Sequence, residues 1–162
     1  MVRRAVALGV TTLALCAGGT HAATRQAEDT HLTPAQWSAY AGAVTGFVRG
    51  MITFDKAQRR CLLIGGAAAR PCRTRADAGL VQSYARFRSG ANPVVASWPG
   101  VCQTLGAEVV ASLTRSYILK RGITRALNLG ENKVFAHLEG DSLLAQGAAL
   151  DEFTSIPNQC RG

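Results

Sequence analysis

The stretch Tyr40–Ile52, YAGAVTGFVRGMI, places Gly42, Gly46 and Gly50 four residues apart inside a segment whose other residues all favour a helix. Each glycine costs about 1 kcal/mol relative to alanine in a helix interior, so the three together oppose the helix by roughly 3 kcal/mol. On a wheel at about 100° per residue, Trp37, Tyr40, Ala41, Val44, Phe47, Val48 and Met51 share one face. The three glycines share the nearly opposite face with Ala39 and Ala43. A glycine stripe in water would only destabilise, so the pattern predicts that another backbone packs closely on Gly42, Gly46 and Gly50, either within the fold or from a second copy of the chain. Just upstream, LTPAQW supplies a helix start, with Thr33 as N-cap, Pro34 at the first helical position and Gln36 where a capping box needs it. A helix is therefore expected from Pro34 to about Phe54.

Downstream the periodicity stays helical. DKAQRRCLLI, residues 55–64, reads as a second, shorter helix ended by Gly65 and Gly66. TRADAGLVQSYARFRSG begins with Thr74 three residues before Asp77, puts Leu80, Tyr84 and Phe87 at helical spacing and stops at Gly90. After the breaks at ANP and SWPG, Val101–Arg121 is a long helix with Cys102, Leu105, Val109, Leu113 and Ser116 facing inward and Gly122 as its stop. Two more helices are expected over Glu131–Leu138 and Asp141–Phe153. No alternating strand pattern is sustained. The expected fold is all-α, a small bundle of five to six helices.

The chain opens MVRRAVALGVTTLALCAGGTHAA, with Arg3 and Arg4, an apolar run from Ala5 to about Gly18, and small residues at Ala22 and Ala23. This is the pattern of a cleaved secretory signal over residues 1–23, too short to span a membrane as a mature helix. Leu15 before Cys16 argues against a lipoprotein site. Residues 24–32, TRQAEDTHL, read as a loose arm, and 33–162 as one helical domain. The expected location is the periplasm.

The mature chain would keep four cysteines, Cys61, Cys72, Cys102 and Cys160, an even number that suits an oxidising compartment. Four cysteines allow three pairings. The short CLLIGGAAARPC loop, with its Gly-Gly and Pro, favours Cys61 with Cys72, leaving Cys102 to hold Cys160. Zinc is the rival use of cysteine, but there is no CxxC spacing and neither His31 nor His137 has a cysteine nearby, so no metal or other cofactor is expected.

Over the whole chain, 18 Lys and Arg against 10 Asp and Glu give a formal charge of +8. Lys56, Arg59, Arg60, Arg70, Arg73, Arg75, Arg86 and Arg88 crowd into a stretch poor in acids around the Cys61 to Cys72 loop. Such a cluster is either a solvated face or a surface for an acidic partner, and Arg59, Arg60, Arg70, Arg73 and Arg75 are the candidate contacts. Stacking aromatics are not interleaved with these arginines, which argues against nucleic acid, and no long basic amphipathic helix calls for a membrane.

Catalytic constellations are sparse. His137, Glu139 and Asp141 lie close in sequence, but 137 and 139 point about 200° apart on a helix. Glu108 could serve as a general acid of a sugar-cleaving hydrolase, which normally needs a second carboxylate across the cleft. No phosphate-binding glycine loop is present. No catalytic residue is assigned, and a small secreted hydrolase is the least favoured reading.

A small exported helical domain with GFVRGM in its first long helix, one cysteine soon after it, another before a long helix and a terminal cysteine in PNQCRG resembles the periplasmic immunity proteins that neutralise type VI secretion amidase effectors. The resemblance is one of format, covers most of the mature chain and carries over no individual residue. It implies a toxin inhibitor without enzymatic activity that binds a cognate exported peptidoglycan-cleaving amidase and blocks its Cys/His site, often as a homodimer. A cell-envelope binding or structural module is the alternative.

Overall fold

The computed structural model describes residues 31–160, so the expected signal sequence and most of the expected arm lie outside the described residues. Four long helices follow one another: α1 (Pro34–Ile64), α2 (Ala69–Ala96), α3 (Gly100–Leu129) and α4 (Asn132–Cys160). The all-α class is as expected, but the count of five to six helices is corrected to four. The predicted break near Phe54 does not occur, and α1 runs on through 55–64. Likewise α3 continues through Gly122, and Gly140 lies inside α4. At Gly122 and Gly140 about 1 kcal/mol of glycine propensity is outweighed by burial of a continuous helix face, and at Phe54 no glycine or proline interrupts the helix.

Where the chain does turn, the cause is local. Gly65 and Gly66 adopt φ of 68° and 53°, a left-handed pair that residues with a Cβ rarely adopt. Gly130 ends α3 at φ 74°, its N–H bonding back to the last turn. At the start of α1 the capping box is present: the Thr33 hydroxyl accepts from the Gln36 N–H at 3.2 Å, and Gln36 Oε1 accepts from the Thr33 N–H at 3.0 Å. α2 runs past the predicted stop at Gly90 and through Pro93 in its last turn, where the proline removes one bond to the carbonyl four residues back but few turns remain to be disrupted.

Short links make neighbours antiparallel, and α1 packs on α2, α2 on α3 and α3 on α4. The α1–α2 pair is built in layers. Ala43 opposes Gly90, Phe47 stacks on Phe87 at 4.9 Å, Gly50 opposes Ser83, and Cys61 is bonded to Cys72. The α1 positions 43, 47 and 50 fall four and three residues apart, the repeat of a coiled-coil seam, and Cys61 follows eleven residues on, which is one such heptad plus four. Tyr84 carries the aromatic contact on to Tyr117 of α3, 3.8 Å away and nearly parallel.

The two ends of the bundle differ in chemistry. Where α1 and α3 begin, the core is aromatic: Tyr40 meets Trp98 edge-on at 4.6 Å, and Trp37 stacks on Phe153 of α4 at 5.1 Å. The Tyr40 hydroxyl donates to the Gly106 carbonyl at 3.0 Å. Gly106 must be bare, because a Cβ there would lie 2.6 Å from the Trp98 ring. Cys102–Cys160 locks this end, and the Leu32 N–H donates to the Cys160 carbonyl at 2.6 Å, so Leu32 is buried and not part of a loose arm. Both disulfides are therefore the expected pairs. At the far end the interior turns polar.

Candidate functional site

At that far end, α1 and α2 meet in an apex formed by CLLIGGAAARPC. Cys61 is wholly buried and bonded to Cys72, with 5.6 Å between their Cα atoms. Beyond the bridge, residues 62–68 are all exposed. Leu62, Leu63 and Ile64 show 47%, 89% and 55% of their surface to solvent, an exposure that is uncommon for three consecutive large apolar side chains. The turn leaves them no alternative. The left-handed glycines reverse the chain at once, and α2 restarts with the Ala69 N–H bonded to the Gly65 and Gly66 carbonyls at 3.3 Å.

Charged groups surround this apolar tip. Arg59, Arg60 and Arg70 are exposed beside it. Arg75 is also exposed, but lies along the α1–α2 groove together with Arg60. Arg73 is a correction to the expected contact surface: it is 9% exposed, and its Nε donates to Asn128 Oδ1 at 2.7 Å, so it ties α2 to α3. On the α3 side of α2, Arg70 shares a shallow groove with Arg121 and Arg125. The Asp77 carboxylate, 3.3 Å from Arg121, holds that guanidinium above its ordinary pKa.

Beneath the apex, α3 turns a polar stripe inward at Ser116, Lys120 and Thr124, all buried. Lys120 Nζ pairs with Asp55 Oδ1 of α1 at 2.6 Å and lies 5.9 Å from the centre of the Phe54 ring. Gln58 Nε2 donates to the Thr124 hydroxyl at 2.7 Å. The Ser116 and Ser142 hydroxyls are 3.2 Å apart. A cavity of about 120 Å³ opens beside this network between α1, α3 and α4. The sequence signal for Lys120 was available, since it lies one turn beyond Ser116 on the face already expected to point inward.

The other sequence candidates are dispersed. Glu108 is exposed on α3, and His137 is 78% exposed with its Nε2 3.5 Å from Asp141 Oδ2 on the same face of α4. Glu139 lies instead at the rim of the polar cavity, away from that pair. Among the described residues no group of three or more His, Cys, Asp or Glu could hold a metal ion, and no helix is long and apolar enough to cross a membrane.

The glycine stripe divides. Gly50 is tightly packed, because a Cβ there would lie 2.0 Å from Ser83 Oγ and 2.7 Å from Ser83 Cβ. Gly42 and Gly46 have no atom within 4 Å of the corresponding point. The close helix contact expected at all three is thus present within the chain only at Gly50. Compared with known proteins, the chain matches no family model, no curated sequence and no solved structure.

Proposed function

We propose that this chain is a periplasmic immunity protein, an inhibitor that binds a cognate exported peptidoglycan-cleaving amidase and obstructs its active-site cleft with the α1–α2 apex. The observation that carries the reading is the exposed Leu62–Leu63–Ile64 tip, fixed by the Cys61–Cys72 bridge and flanked by Arg59, Arg60 and Arg70. Obstruction needs no chemistry from the inhibitor, only a rigid projection that reaches the bottom of a cleft. Apolar side chains at the centre of such a contact supply most of the binding energy, and the surrounding charges steer encounter with an acidic rim. The disulfide holds the tip in place before binding, which lowers the ordering cost that would otherwise be subtracted from affinity.

The test is reconstitution. The mature protein is mixed with the exported amidase that this reading requires as its partner, and amide release from peptidoglycan is followed. The reading expects loss of hydrolysis at equimolar inhibitor, with an association rate that falls as salt rises. Undiminished hydrolysis at saturating inhibitor overturns it.

A further inference from the structure

We propose that the groove between α1 and α2 binds an anionic amphiphile, one acyl chain lying along its floor and the acid group held by Arg60 and Arg75. The groove has a volume of about 520 Å³, within the range of small-molecule sites. Its origin is the layer pattern of the helix pair. Between the Gly50–Ser83 layer and the disulfide, α1 offers Ala57 and α2 offers Ala76 and Gly79, side chains too small to fill the space over Phe54 and Leu80. A Cβ at Gly79 would meet nothing within 4 Å.

The floor is thus apolar and long, running about 15 Å along α1 from residue 50 to residue 60 at 1.5 Å per residue. The charge lies at one end. Arg60 is next to Cys61 and Arg75 is one turn from Cys72, so both guanidiniums belong to the disulfide end, and no acidic side chain lines the groove. Two unopposed cations over an apolar trough match a headgroup of opposite charge on a hydrocarbon tail. Arg guanidinium is well shaped to hold a carboxylate or phosphate through paired N–H donors. This inference does not depend on the protein-binding role of the apex, and Arg75, which lies off the apex, separates the two experimentally.

Titration calorimetry with hexanoate, octanoate, decanoate and dodecanoate, each below its micelle concentration, is the direct test. Affinity should tighten by up to about fourfold per methylene, the equivalent of 0.8 kcal/mol per buried CH₂. Dodecyl maltoside, with the same tail and no charge, should bind at least about tenfold more weakly than dodecanoate. Arg75→Gln should reduce dodecanoate affinity towards the maltoside level, and Gly79→Leu, which fills the trough from an exposed position, should remove binding of both. Circular dichroism confirms that each variant is folded. Equal binding of charged and neutral ligands, affinity independent of chain length, or an unaffected Gly79→Leu protein would overturn the proposal. So would flotation with phosphatidylglycerol vesicles in the absence of any dodecanoate binding, which would assign the arginines to a membrane surface.

Discussion

Two glycines one turn apart on α1 should respond to the same substitution with opposite signs. At Gly46 nothing lies within 4 Å of an added Cβ, so Gly46→Ala gains helix propensity without a clash and should stabilise the fold by about 1 kcal/mol. At Gly50 the added Cβ would lie 2.0 Å from Ser83 Oγ and 2.7 Å from Ser83 Cβ. Rotating the hydroxyl away cures the first contact but not the second, so α1 and α2 must separate. Overpacking of this kind costs about 1 to 3 kcal/mol, of which propensity returns about 1. Gly50→Ala should therefore lose stability by up to about 2 kcal/mol, or several degrees of melting temperature. Removing the opposing Cβ as well, in Gly50→Ala with Ser83→Gly, should show favourable coupling in a double-mutant cycle. Thermal and urea unfolding of the wild type, the three single variants and the double variant measure all the terms. Stabilisation by Gly50→Ala, or destabilisation by Gly46→Ala, would refute the layer pairing of α1 with α2.

The buried ion pair should respond asymmetrically. Asp55→Ala strands the Lys120 ammonium, whose side chain is 4% exposed, and should cost about 3 kcal/mol in urea unfolding, whereas Lys120→Met leaves Asp55, 39% exposed, to water and should change stability by about 1 kcal/mol or less. Loop lengths order the disulfides: serine pairs at Cys102 and Cys160, 58 residues apart, should cost about 4 kcal/mol, against about 3 for Cys61 and Cys72, 11 apart, in calorimetry. Burial, with the Glu152 charge second, pushes the Tyr40 phenol above its ordinary range. The folded chain then keeps a proton that the unfolded chain releases near pH 10, so stability is lost as pH rises beyond about 10, and Tyr40→Phe should flatten that loss in denaturant titrations.

Much of this arrangement was written locally in the sequence. The capping box at Thr33, the Gly65–Gly66 turn and the inward face of Cys102, Val109 and Leu113 follow from spacing and from residue type, and the short turn-rich loop pointed to Cys61 with Cys72. The helix count did not follow, because a glycine at 90, 122 or 140 looks like a stop to propensity alone. Tertiary contact decides otherwise: Gly90 sits opposite Ala43, and a Cβ on Gly122 would lie 3.0 Å from Leu138 Cδ1. The glycine stripe misled for a related reason. Sorting α1 into a bulky face and a bare face merged Gly50, which belongs to the α2 seam with Ala43 and Phe47, with Gly42 and Gly46, which lie outside it. Arg73 could not be told from its neighbours by composition, since only the position of Asn128 across the α2–α3 seam makes it internal.

The most direct test of the protein-binding account changes one exposed side chain. Leu63→Glu alters a residue 89% exposed at the apex, so it should leave the helical spectrum and melting temperature unchanged. In cells exporting to the periplasm the amidase that the proposal requires as partner, co-expressed wild-type protein should prevent lysis and Leu63→Glu should not, with at least about a hundredfold loss of affinity by calorimetry. Full protection by the folded Leu63→Glu variant would contradict the apex as the inhibitory contact, and lysis despite the wild-type protein would contradict the inhibitor itself.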